Sequence, residues 1–140
     1  MEQYPKLYLY RRIVQAKLFI DENYGSNIDL SSISDEACFS KFHFIRLFQS
    51  IYNKTPHQYL IFVRIENAKE LLKNDSAVSA VCYAVGFESI SSFTGLFKRL
   101  VGISPAVYKN QEAKRKEDIK LDPLKYIPNC FAENKGWTKK

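Results

Sequence analysis

Residues 86–108 read GFESISSFTGLFKRLVGISPAVY, and this stretch decides the fold. Ser89 is a small polar residue just ahead of an apolar stripe, the place of a helix N-cap. Phe93, Leu96, Phe97 and Leu100 follow at i, i+3, i+4 and i+7, predicting a helix from Ile90 to about Val101. Gly102 stops it, because glycine just past a periodic stretch takes the left-handed conformation without strain. Ser104-Pro105 opens another helix, where the N–H that proline lacks is not needed.

The same signals occur earlier in the chain. At an offset of 48, Leu30 falls on Val78, Ile33 on Val81, Ser34 on Cys82 and Phe39 on Phe87. At an offset of 49, Ser40 falls on Ser89, Phe44 on Phe93, Leu47 on Leu96, Phe48 on Phe97 and Ile51 on Leu100. Asn53 then meets Gly102, Pro56 meets Pro105 and Tyr59 meets Tyr108. Two amphipathic helices can always be aligned, but cap, stripe, stop and the following Pro-x-x-Tyr match together, so the chain contains an internal repeat.

The remaining segments fill in around it. Ile13, Ala16, Leu18 and Ile20 predict a helix over Tyr8 to Asn23, stopped at Gly25. Asp29 caps a short helix from Leu30 to about Ala37, and Ser40 caps Lys41 to Tyr52. Thr55-Pro56 starts a long helix to about Asn74 on a spine of Ile61, Ile65, Ala68 and Leu72. Asp75 or Ser76 caps a short helix over Ala77 to Val85, ended by Gly86. The expectation is an all-α chain of seven helices, with two subunits at about 8–55 and 75–116 and a linker helix at about 57–74. Residues 112–120 are almost all charged, and Pro123, Pro128 and Gly136 follow. Residues 117–140 therefore read as an irregular tail, in which a short amphipathic piece around 121–131 could pack back.

Each repeat is a short helix, a tight turn and a longer helix. That is a helix-turn-helix layout, whose second helix can enter a DNA major groove. Two such helices held roughly parallel by the linker would lie about one DNA turn apart.

Gly86-Phe87-Glu88-Ser89, Ser92-Phe93-Thr94, Phe97-Lys98-Arg99, Gly102, Ser104-Pro105 and Tyr108-Lys109 closely resemble the signature of AraC/XylS-type transcription regulators. So do Ser40, Phe48, Pro56 and Tyr59 in the first repeat, and Arg64, Ala68, Leu71 and Leu72 in the linker. The resemblance covers about residues 8–110. It implies a seven-helix, sequence-specific DNA-binding domain whose two helix-turn-helix units enter successive major-groove segments. The chain departs from the family in having Ser34 and Cys82 where alanine is usual, and Cys38 and Asn53 where glycine is usual. All are small, so packing should survive. Gly95 stands where members often carry a long polar side chain. Most members also have a sensor domain, so the chain is expected to be a short stand-alone member or a fragment of a longer regulator.

Helical geometry nominates the readers. At about 100° per residue, the face opposite Phe44, Leu47, Phe48 and Ile51 carries Phe42, Ile45, Arg46 and Gln49, with Lys41 in the first turn. Arginine bonds guanine bidentately and glutamine bonds adenine; Phe42 and Ile45 suit thymine methyl or sugar contact. The alternatives are an apolar stripe wide enough to carry Phe42 and Ile45 into the core, and a solvated charge at Arg46. On the second helix the same face carries Ser91, Thr94, Gly95 and Lys98, with Ile90 in the first turn. These are short apart from Lys98, which suits phosphate better than base. Gly95 reads as drift at an unused position, against the alternative of close backbone approach to DNA. Helix N-termini offer free N–H groups and a positive dipole end. Ser40, Thr55, His57, Ser89 and Ser104 are phosphate candidates there, with capping alone as the alternative for the hydroxyls. Lys54, Lys98, Arg99 and Lys109 complete that set. His43 reads as a surface residue of the helix flank.

Charge and composition bound the rest. The 140 residues carry 21 Lys plus Arg against 15 Asp plus Glu, net +6. Residues 1–109 hold 13 basic and 10 acidic residues, so the ordered part is only +3. That modest charge, with the weak second reader, leaves a second function open: a helical protein-interaction module that kept the fold but lost specific DNA binding. No nucleophile–base set, pocket carboxylate pair or phosphate loop suggests an enzyme. Cys38, Cys82 and Cys130 lack metal spacing, and no metal or cofactor is expected. There is no signal peptide pattern or membrane-spanning run, so the expected place is the cytoplasm. The expected partners are double-stranded DNA and RNA polymerase, with no small-molecule effector evident within the chain.

Overall fold

The computed structural model describes residues 3–28 and 40–123. Six helices occur there: α1 Gln3–Asn23, α2 Lys41–Tyr52, α3 Pro56–Lys73, α4 Val78–Ala84, α5 Ile90–Val101 and α6 Pro105–Leu121. The described residues contain no strand. The helix expected at 30–37, the small residues Ser34 and Cys38, Cys130 and the piece around 121–131 beyond Pro123 lie outside the described residues.

The punctuation read from the sequence holds the ends of α2 and α5. Ser40 Oγ accepts from the His43 N–H and Ser89 Oγ from the Ser92 N–H, each at 3.2 Å. The stops are left-handed at Asn53 (φ 59°) and Gly102 (φ 99°). Thr55 and Gln58 form a reciprocal capping box at the start of α3. Ser104 caps α6 through the Val107 N–H at 3.2 Å.

Elsewhere the structure departs from expectation. Helix α1 starts at Gln3, five positions before Tyr8; Pro5 falls in its first turn, where it removes no needed bond. Apolar side chains lie on both faces of α1: Ile13, Ala16 and Ile20 are buried, whereas Leu7, Val14 and Leu18 are exposed, which blurs its periodicity. Neither Asp75 nor Ser76 caps α4; its N-cap is Ala77, without a side-chain bond. Their N–H groups instead close the end of α3, bonding the Leu72 and Leu71 carbonyls, with Asp75 left-handed at φ 68°. Helix α6 runs to Leu121, past the boundary expected at 117. Its Lys, Glu, Arg and Ala residues are good helix formers, and the Lys116 ammonium donates to the Lys73 carbonyl at the end of α3.

Two cores share α3. Leu60 and Val63 join Ile13, Ala16, Ile20, Phe44 and Phe48 in the first. Ile65, Ala68 and Leu72 join Val81, Cys82, Val85, Phe87, Phe93 and Phe97 in the second. The repeat is visible in the ring geometry. Phe48 meets Tyr59 edge-on at 5.8 Å, and Phe97 meets Tyr108 the same way at 5.5 Å. The expected stripes are shorter than predicted: Ile51 is 38% and Leu100 53% exposed, because the ends of α2 and α5 run past the edge of each core. Burial pushes the Cys82 thiol pKa up, so it packs as a small apolar residue.

Candidate nucleic-acid interface

Phe44 and Phe48 hold one face of α2 in the first core, and Phe93 and Phe97 hold one face of α5 in the second. The opposite faces are open to solvent. On α2, Lys41, Phe42, Arg46 and Gln49 are exposed, Phe42 by 74%. Ile45 is half-buried against the first core, so part of its apolar surface is already covered. On α5, Ile90 and Ser91 are exposed and Thr94 is half-buried. A Cβ at Gly95 would meet nothing within 4 Å, so the middle of that face is bare backbone.

Neither α2 nor α5 contains an acidic residue. Their open faces are thus locally positive even though the chain's net charge is modest, and a local field governs what a surface attracts.

The cap hydroxyls have different capacities left. A hydroxyl that accepts at a helix N-terminus keeps its own proton to donate. Ser40, Thr55 and Ser104 accept from the His43, Gln58 and Val107 N–H groups. Ser89 also accepts from an N–H, but it spends its proton on Ser92 Oγ at 2.9 Å.

The cationic candidates fall into groups that chain order does not show. Lys54, His57 and Arg99 line one groove of about 570 Å³ between α3 and α5, together with Ile61, Phe62, Leu96 and the pair Lys69–Glu66, whose charges lie 3.2 Å apart. The Lys54 ammonium sits 4.6 Å above the Phe62 ring, a cation–π contact that aims the side chain. Among the described residues, Lys41, Ile45, Thr55 and His57 line a second recess beside the start of α2. Lys98 is exposed on α5. Lys109 lies apart from these, on α6, 3.7 Å from Asp75. Sequence reasoning missed the Phe62 support of Lys54. Phe62 and Lys54 are eight positions apart across a helix start, and no local pattern links them.

The described residues hold no cluster of His, Cys, Asp or Glu that could bind a metal, and no helix long and apolar enough to cross a membrane.

A family model described as a helix-turn-helix domain matches residues 33–111, more than half of the chain. The MmsAB operon regulatory protein of Pseudomonas aeruginosa is 31% identical over 94 residues, covering 66% of this chain and 31% of that protein. The probable transcriptional regulator LumQ of Photobacterium leiognathi is 35% identical over 92 residues, 65% of this chain and 37% of that one. The chain therefore spans about a third of the length of these two relatives. Among solved structures, the DNA-binding domain of AdpA, a global transcriptional factor in complex with a target DNA, aligns with a TM-score of 0.71 at 29% identity. That alignment covers 75% of this chain and 96% of the AdpA domain.

Proposed function

This chain belongs to the AraC-type helix-turn-helix family of DNA-binding transcription regulators, and from that premise we propose that it binds double-stranded DNA sequence-specifically, with α2 and α5 as its two major-groove readers. The observation that carries this reading is the repeated pair of acid-free helices, each seated on two buried phenylalanines with its other face open. Kinship to a DNA-bound domain supports it.

Base readout falls to Lys41, Phe42, Ile45, Arg46 and Gln49 on α2, and to Ile90, Ser91 and Thr94 on α5. Arg46 suits guanine, Gln49 suits adenine, and Phe42 and Ile90 suit thymine methyls. Phosphates are held by Ser40, Lys54, Thr55, His57, Ser89, Lys98, Arg99, Ser104 and Lys109, with α3 as the linker between readers. The free protons of Ser40, Thr55 and Ser104 favour these three over Ser89. The reading extends to a cytoplasmic regulator that meets RNA polymerase at its promoter and takes no effector within these residues.

The test is selection from a random-sequence duplex pool, followed by fluorescence polarisation on the selected and a scrambled site. The selected site should bind at least about a thousandfold more tightly, the low end for specific readers. Equal binding to both, or no enrichment, would leave the interaction-module reading in its place.

A further inference from the structure

The two reading units meet at a second place besides α3. The turn after α1, residues 24–26, lies directly against the end of α4 and the turn that follows it, residues 84–86. The contact is reciprocal. A Cβ at Gly25 would stand 2.9 Å from the Ala84 carbonyl oxygen, and one at Gly86 would stand 2.8 Å from the Tyr24 carbonyl oxygen. Both glycines therefore permit a backbone approach that any other residue would block. Tyr24 itself packs against both cores.

Arg64, from the middle of α3, lies across this junction. Its Nε donates to the Tyr24 carbonyl at 2.8 Å and its Nη2 to the Ser26 carbonyl at 3.0 Å. Its guanidinium carbon lies 5.7 Å from the Phe87 ring centroid, and its Nε and Cζ would be 3.0 Å from a Cβ at Gly86. One side chain thus holds the first unit by two hydrogen bonds and rests on the turn of the second. Burial lowers its pKa from the ordinary arginine value, with the charge of Glu88 opposing; an arginine stays charged regardless.

We propose that Arg64 is a specificity-determining positioning residue: it locks the two units in one relative orientation, so that the chain selects the spacing between its two half-sites as well as their sequences. This rests on the DNA reading above. The two cores grip different stretches of α3, so either unit could swing about that helix by adjusting its own packing. Such a swing would break the Arg64 bonds and part the two turns. The tolerance matters, because one base pair of spacing displaces a half-site by about 3.4 Å and turns it by about 35°. Lysine is no substitute, since a single ammonium lacks the planar fork that bonds two carbonyls while lying on a ring.

The experiment uses the full chain, Arg64→Gln and Arg64→Lys, with the selected site and the same site lengthened or shortened by one base pair between half-sites. Wild type should lose about tenfold or more on either altered duplex, the scale of one mismatched contact or more. Arg64→Gln should lose less than about threefold from the same change, although its affinity for the unaltered site also falls. A measurement without DNA accompanies it: spin labels carried by noncanonical residues at Ser50 on α2 and Ala106 on α6. The distance distribution should be narrow in wild type and broader in Arg64→Gln, with Arg64→Lys between them. Circular dichroism reports folding, and where Arg64→Gln is unfolded, Arg64→Lys decides by the same two readings. A folded variant that keeps the wild-type spacing penalty and the narrow distribution overturns the proposal, as does a wild type indifferent to spacing. Failure of the wild type to bind any duplex overturns the DNA reading instead, and the distance distribution still decides whether Arg64 holds the units together.

Discussion

The Tyr59 hydroxyl donates to Asp21 Oδ1 at 2.5 Å, joining α3 to α1 across 38 positions of chain. Lys17 holds the other carboxylate oxygen at 2.7 Å. Burial first, and then the bond to Asp21, push the Tyr59 pKa up to about 12 from an ordinary 10.0. Tyr108, its counterpart in the repeat, makes the same ring contact, so the Asp21 bond is what the first unit adds.

Tyr59→Phe keeps the ring and loses that bond. It should destabilise the fold by about 1–2 kcal/mol, the range for a hydrogen bond to a charged partner discounted for partial exposure. The folded pKa lies above the unfolded one, so this stabilisation is complete below about pH 10 and is lost as pH rises through about 12. Urea unfolding of both proteins at rising pH checks it: the gap between them should close over that window.

The two readers should be unequal. Arg46→Ala should cost about 1–3 kcal/mol of binding and relax preference at one or two base pairs. Ser91→Ala should cost under about 1 kcal/mol, because a hydroxyl makes no bidentate base pair. Gly95→Ala should leave binding unchanged and raise helix stability by up to about 1 kcal/mol, since a Cβ there meets open space. Site selection on the three variants, with melts alongside, is the measurement. Abolished binding by Gly95→Ala with an unchanged melt would show that α5 reads DNA by backbone approach.

Affinity should fall steeply with salt. Each neutralised phosphate contributes a slope near −0.9 in log K against log salt, so Lys41, Lys54, Lys98, Arg99 and Lys109 predict about −4 to −6. Lys109 is already 3.7 Å from Asp75, which moves the expectation toward the shallower end. Polarisation titrations across a salt series give the slope directly, and a value near zero with tight binding retained would contradict the electrostatic account.

A chain ending at Lys116 should remain folded, with a melting temperature within about 5 °C of the full chain, equivalent to about 1 kcal/mol at this size. Among the described residues, neither core draws on any beyond Tyr108, and the Lys116 bond to the Lys73 carbonyl survives the cut. Circular dichroism melts of both chains would reveal a larger drop if the removed residues dock.

Much of the candidate site was legible because it is written locally. A cap, a stripe and a stop within a dozen residues define α2, and the same signals define α5; the opposite face then follows from 100° per residue. The start of α4 is not legible locally, because Asp75 and Ser76 are good caps by type, yet their N–H groups are taken up in ending α3. The end of α6 is not legible locally either, because a charged run suits a solvated helix as well as a tail. Helical angle leaves Ile45 between the open face and the core, and the structure lays part of it against the first core.

The sequence by itself determined α2 and α5 with their caps and stops, the capped starts of α3 and α6, the internal repeat and the side chains on the open faces of α2 and α5, because these depend on neighbours within a few residues. Only the tertiary structure decided how the halves meet. Gly25 and Gly86 read as helix stops, and Arg64 as one residue of a linker signature. Their closeness depends on how two separate cores pack on one helix, and no local pattern encodes a contact between backbones about sixty residues apart.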